Sequence, residues 1–219
     1  MGYPRWWRPG RQQRCSRTGS RSWWTARREQ SKSCPGRNEC ETPLVQDGGM
    51  SGAAEVTIRY AREADLEAIQ RIYNHEVATG TATWDEEPWP MEKRRTWFAE
   101  HDALCPLLVA EAGGRVVGFA SLSKMSQKSG WRFTREDTIY LDPAWRGCGL
   151  GRRLLGELLQ EAWRIGMHAV VATISSENSA SIELHRSLGF EVVGTLRETG
   201  LKFGRRLSTT YMQLVRAEE

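Results

Sequence analysis

Between Thr134 and Arg164 the chain runs from a strand through a glycine-rich turn into a helix, and this passage constrains the fold more than any other. Thr138-Ile139-Tyr140-Leu141 is rich in β-formers and is stopped by Asp142-Pro143. Arg146-Gly147-Cys148-Gly149-Leu150-Gly151 then turns the chain. After it, Leu150, Leu154, Leu155, Leu158, Leu159 and Ala162 recur at helical spacing. Strand, glycine turn and helix start together form an anion site. Glycines let the backbone approach closely, and the unbonded N–H groups of the first helical turn point along the positive end of the dipole. Arg146, Arg152 and Arg153 crowd positive charge at that same end, which a bound phosphate offsets. Read without a ligand, the segment is only a glycine-rich connection.

The spacing separates known phosphate loops. A P-loop needs Lys-Ser or Lys-Thr after its last glycine, and Arg152-Arg153 stand there. A dinucleotide fold needs the motif in its first βα unit, with an acidic residue about twenty positions on. Here the motif comes late, and that region reads Val170-Val171-Ala172-Thr173.

The other segments surround this one in a regular order. Val56–Tyr60 alternates as a strand, and Leu66, Ile69, Ile72, Tyr73 and Val77 mark an amphipathic helix ending near Gly80. Thr81-Ala82-Thr83-Trp84 reads as a short extended piece, and a second helix runs from Pro90 to about His101. Leu107–Ala110 and Val116–Ser121 flank Gly113-Gly114 as a hairpin. Beyond the glycine turn and its helix come a strand at Val170–Thr173 and a helix at Ser179–Leu188, closed by Gly189. Strands at Glu191–Gly194 and Ser208–Leu214 finish the chain. The order β-α-α-β-β-β-α-β-α-β-β implies an α/β sandwich around a mixed sheet whose first half is antiparallel.

Residues 1–50 differ from the rest. They hold ten basic residues against four acidic ones, so the chain's net charge of +4 leaves −2 for the remainder. Rich in Arg, Gly, Ser and paired tryptophans, with no period, this extension buries too little apolar surface to fold and is expected to be disordered. It lacks the apolar run of a secretory signal. Codons for Gly48-Gly49 can spell a purine-rich ribosome-binding sequence, so native translation is expected to start at Met50, with the preceding residues as leader. The other reading is an Arg/Trp arm for nucleic acid or membrane. The domain itself lacks the basic surface that nucleic acid requires. Cys15, Cys34, Cys40, Cys105 and Cys148 fit no zinc spacing or disulfide framework, implying a reducing, cytoplasmic protein without structural metal. No apolar run approaches membrane-spanning length.

The order Arg-x-x-Gly-x-Gly after a strand resembles the pyrophosphate loop of the GNAT superfamily of N-acetyltransferases, and the element order of residues 55–216 is similar to that fold throughout. Ile72-Tyr73-Asn74-His75, Thr81–Trp84, Thr134–Leu141, Leu184–Phe190 and Lys202-Phe203-Gly204 look like the phosphinothricin and methionine sulfone/sulfoximine N-acetyltransferase branch. The resemblance implies a mostly antiparallel sheet flanked by helices, with splayed central strands holding acetyl-CoA, and usually a homodimer. It assigns Arg146, Gly147, Cys148, Gly149, Leu150, Gly151 and Arg152 to the pyrophosphate, and the strand edge at Ile139, Tyr140 and Leu141 to the pantetheine arm and the oxyanion. Asn178 matches a cofactor contact, although it could equally be a plain helix cap.

Acetyl transfer to an amine needs a base, because the amine arrives protonated. Glu136, three residues before Ile139 on the same strand, matches the family's glutamate. His185, where many members carry a tyrosine, is a candidate proton donor to the departing thiolate. His75 is expected to pack against the substrate cleft, and His101 and His168 to lie on the surface. For the substrate, the branch points to Trp84 and to Ser129-Gly130-Trp131 beside Glu136. The chain departs from the common Gly-x-Trp-x-Asp ending, with Gly204-Arg205-Arg206-Leu207-Ser208 instead. Arg206 and Ser208 would remove a negative charge and suit a more acidic acceptor. The expected activity is acetylation of the α-amine of a small amino acid or analogue. The alternatives are a protein N-terminal acetyltransferase and a non-catalytic acetyl-CoA-binding module.

Overall fold

The computed structural model describes residues 55–217, so the expectations for residues 1–50 lie outside the described residues. In chain order the elements are β1 (Val56–Tyr60), α1 (Leu66–Thr79), α2 (Met91–Ala99), β2 (Leu107–Ala112), β3 (Arg115–Lys124) and β4 (Thr134–Leu141), followed by α3 (Leu150–Arg164), β5 (Ala169–Ser175), α4 (Ser179–Ser187), β6 (Glu191–Lys202) and β7 (Arg205–Val215). The sheet order is β1-β2-β3-β4-β5-β7-β6. Only β4 and β5 run parallel. The sequence order of helices and strands is the one expected.

Two apolar layers sandwich the sheet. On one face the leucine stripe of α3 is buried, with Leu154, Leu155 and Leu158 at 0% exposure packed against Val170, Phe190 and Met212. Each such leucine contributes roughly 1.5–3 kcal/mol by leaving water. On the other face Ile69, Ile72 and Val77 of α1 pack against Val109 and Phe119. Phe119 and its neighbour Ala120 serve opposite layers, as the pleat of β3 requires.

Three segments depart from expectation. Residues 81–84 form no strand. Side chains rather than a neighbouring strand satisfy their backbone, through Glu76, Tyr140 and Lys202. β6 continues eight residues past Gly194, pairing with β7 down to Lys202↔Arg205. Its residues are exposed almost throughout, so no apolar alternation marks the extension. His75 is exposed rather than packed in the cleft, whereas His101 is half-buried with Nδ1 on the Trp97 carbonyl at 2.9 Å. Among the described residues no helix is long and apolar enough to cross a membrane.

Candidate active site

β4 and β5 pair only from Thr134↔Ala169 to Asp137↔Ala172. Past that point β5 continues on β7 through Ser175↔Thr209, while β4 continues on β3 through Gly118↔Leu141. The two strands therefore part in a V, and the edge of residues 138–141 facing the gap has no strand partner. Asp142 N–H donates to the Val117 carbonyl at 2.9 Å, toward β3. Peptide groups alternate along a strand, so those of Ile139 and Leu141 turn into the gap. A cleft of about 860 Å³ opens there, walled by β4, β5, the 80–84 loop and the starts of α3 and α4.

The α3 end of the cleft is built to receive an anion. Gly147 and Gly149 adopt φ of 77° and 83°, the left-handed region where a side chain is strained. α3 has no side-chain cap and no acid in its first turn, and its first internal bond is Arg153 N–H to the Gly149 carbonyl. The N–H groups of Leu150, Gly151 and Arg152 are thus left without helical partners. Gly147, Gly149, Gly151 and Arg152 line the cleft, but the side chains of Cys148 and Leu150 turn away from it. Cys148 Sγ donates to the Trp145 carbonyl at 3.1 Å, and Leu150 is buried in the core. These two can offer backbone only. The Arg146 guanidinium lies at the cleft but is already bonded to Glu76 and to the Leu141 carbonyl. Asn178 caps α4, accepting from Ser181 N–H at 3.1 Å, and also faces the cleft.

At the base of the V stands Glu136, half-buried and lining the cleft, with no hydrogen bond or ion pair to any described residue. Glu136, Thr138 and Tyr140 share the face toward α1 and α2, and Asp137 shares the opposite face with Ile139. There Asp137 Oδ2 meets His185 Nε2 at 2.9 Å, both side chains almost fully buried. His185 Nδ1 lies 2.7 Å from the Ser181 carbonyl, an acceptor only, so that nitrogen carries a proton. Burial lowers the His185 pKa, but Asp137 and the carbonyl outweigh it, and the net direction is upward. Both ring nitrogens are therefore engaged, leaving none open to a thiolate in this arrangement.

The 80–85 side of the cleft is held together by long-range side-chain contacts. Glu76 accepts from Ala82 N–H at 3.0 Å, and Tyr140 Oη donates to the Ala82 carbonyl. Lys202, 1% exposed, donates to the carbonyls of Thr83 and Asp85, each at 2.8 Å. The loop so fixed carries Trp84 to the cleft, its ring lying flat against Gly200. The only sign of Lys202 in the sequence is the Lys202-Phe203-Gly204 motif. Ser129, Gly130 and Trp131 do not reach the cleft. They form an exposed single turn before β4, and Trp131 is 45% exposed. Neither Arg206 nor Ser208 lines the cleft; Ser208 Oγ instead accepts from Glu198 N–H.

A family model described as the acetyltransferase (GNAT) family matches residues 69–190. The chain belongs to this GNAT family. An L-methionine sulfoximine/L-methionine sulfone acetyltransferase of Salmonella typhimurium is 45% identical over 160 residues, covering 73% of this chain and 94% of that protein. A phosphinothricin N-acetyltransferase of Alcaligenes faecalis is 40% identical over 159 residues, covering 72% and 81%. A solved structure of a putative Salmonella typhimurium acetyltransferase with its cofactor acetyl-CoA superposes with a TM-score of 0.73 at 44% identity, covering 76% of this chain and 96% of that one. This GNAT protein is accordingly an acyltransferase, and the non-catalytic reading is set aside.

Proposed function

We propose that this GNAT enzyme acetylates the α-amine of a small amino acid or analogue, of the methionine sulfone, methionine sulfoximine or phosphinothricin type, by direct attack. The observation that carries the reading is Glu136, an unpartnered carboxylate where β4 and β5 part. The relatives' names point to the same acceptor class.

The uncapped start of α3 fits a pyrophosphate, and the open edge of β4 fits a peptide-like arm. Acetyl-CoA, bound there, supplies the acetyl thioester. Glu136 takes the proton from the incoming ammonium, directly or through one water, and frees its lone pair. The inward-facing N–H of Ile139 donates to the oxygen that gains charge as the amine adds. The C–S bond then breaks, and the departing thiolate takes its proton from solvent in the open cleft. The Leu141 carbonyl, by contrast, already accepts from Arg146 and is less available to the arm. Trp84 and the tethered 80–85 loop close the acceptor side against water. We further infer a cytoplasmic homodimer, supported by the apolar side chains that β6 exposes at Val193, Leu196 and Leu201.

The test is thiol release from acetyl-CoA with methionine sulfone, methionine sulfoximine, phosphinothricin and ordinary amino acids. Glu136→Gln should lower kcat by about 10²–10⁴-fold while acetyl-CoA binding stays intact. Full turnover in Glu136→Gln would remove the base, and turnover on none of these amines would remove the substrate class.

A further inference from the structure

Among the described residues Arg94 is the largest fully buried side chain, at 1% exposure on α2. Its guanidinium carbon lies 4.4–4.6 Å from the ring centres of Tyr73, Trp89 and Trp97. Those faces stabilise a cation but accept none of its in-plane N–H groups. Nε and Nη2 are fully buried and have no hydrogen-bond partner among the described residues. The nearest acid does not serve them. Asp85 Oδ2 instead accepts from Tyr73 Oη and from Trp89 Nε1. Burial pushes the Arg94 pKa down to about 10, so the charge persists at neutral pH. A buried charged donor left unpaired is strongly unfavourable, and its retention calls for a partner that arrives from outside.

Room for such a partner exists. Arg94 borders a cavity of about 170 Å³, completed by its three aromatic neighbours with Phe119, Thr138 and Tyr140. Thr138 and Tyr140 also line the main cleft, on the same face of β4 as Glu136. An amine held at Glu136 thus lies on the same face of β4 as the two residues that border this cavity. Aromatic rings form most of the cavity wall, and its polar groups are one planar fork of donors with the hydroxyls of Tyr73, Thr138 and Tyr140. That fork matches two oxygens of a carboxylate or phosphinate in one plane.

We propose that Arg94 and its cavity form the subsite that receives the acceptor's oxyanion while Glu136 takes the proton from its amine. This subsite rests on the amino-acid reading above and gives it a physical basis for selectivity. It also places the acid-recognising charge inside the domain rather than at Arg206, which lies outside the cleft.

Steady-state kinetics of the full chain test it, with wild type, Arg94→Met and Arg94→Lys and three acceptors: L-methionine sulfone, its carboxamide, and phosphinothricin. The wild type should favour the sulfone acid over its amide by about 100-fold in kcat/KM, the size expected for two charge-assisted hydrogen bonds. Arg94→Met should erase that preference through acceptor KM, leave the KM for acetyl-CoA within about twofold, and melt no lower than wild type, because an apolar residue there relieves an unpaired charge. Arg94→Lys should recover part of the preference. A loss confined to phosphinothricin would identify the oxyanion as the side-chain acid rather than the α-carboxylate. An Arg94→Met enzyme with unchanged acceptor KM, or one that loses equally on acid and amide as it loses thermal stability, would overturn the subsite and leave a structural cation. A wild type that turns over none of the three would overturn the substrate reading and this subsite together.

Discussion

Gly200→Ala places one methyl group where the indole of Trp84 already lies. A Cβ built at Gly200 meets three ring carbons of Trp84 at 2.2, 2.4 and 2.6 Å. Ordinary contact between carbons is about 3.5–4.0 Å, so the ring must withdraw by more than about 1 Å. The backbone beneath Trp84 cannot follow easily, because Lys202 holds the carbonyls on both sides of it and Glu76 holds Ala82. The indole must therefore leave its place by rotating about its own side-chain bonds. Overpacking of this kind destabilises by about 1–3 kcal/mol. With Trp84 walling the acceptor side as proposed, acceptor KM should rise about tenfold or more while acetyl-CoA KM stays near wild type. Chemical denaturation and kinetics on both substrates measure the two effects. A variant with lowered stability but unchanged acceptor KM would show that Trp84 is packing and not part of the acceptor wall.

The Asp137–His185 pair gives a pH signature. Its upward-shifted histidine stabilises the fold fully below the ordinary value of about 6.5, and that stabilisation is lost as pH rises through the higher folded value. Denaturation midpoints should therefore fall as pH rises beyond about 6.5 in the wild type and stay flat in His185→Gln; parallel profiles would dismiss the charged pair. On β6, Val193→Glu should turn a dimer into monomers by light scattering, and an unchanged mass would move the interface elsewhere.

The element order was legible because strong local signals agree with the fold. Gly113-Gly114 sits between two β runs, Asp142-Pro143 stops a third, and α3 carries an unbroken leucine stripe. The anion loop and Glu136 were legible as well, since both are fixed by short-range spacing to β4. What escaped depends on long-range packing. Within the charged run Glu92-Lys93-Arg94-Arg95 nothing in the sequence singles out Arg94, yet the rings of Tyr73, Trp89 and Trp97 enclose it. Lys202 lies beyond the strand expected to end at Gly194, and only the folded chain brings the Thr83 and Asp85 carbonyls to meet it. Ser129-Gly130-Trp131 are near Glu136 in sequence, but the turn before β4 carries them away from the cleft. The His185 expectation considered the imidazole alone, whereas Asp137, one residue past Glu136, reaches it from the opposite face.

The parting of β4 from β5 has a bearing on how the empty protein fares. An interior strand edge left without partners is what a second polypeptide needs in order to add itself to a sheet. Here that edge lies in the middle of the sheet, and Arg146 covers its Leu141 carbonyl while no strand covers the rest. A ligand lying along β4 therefore blocks misassembly as well as binding for reaction. By mass action such a ligand adds about 2.7 kcal/mol of stability at one hundred times its dissociation constant. Starved of its acyl donor, the enzyme would be both idle and prone to associate, which ties its survival to the metabolic supply that it spends.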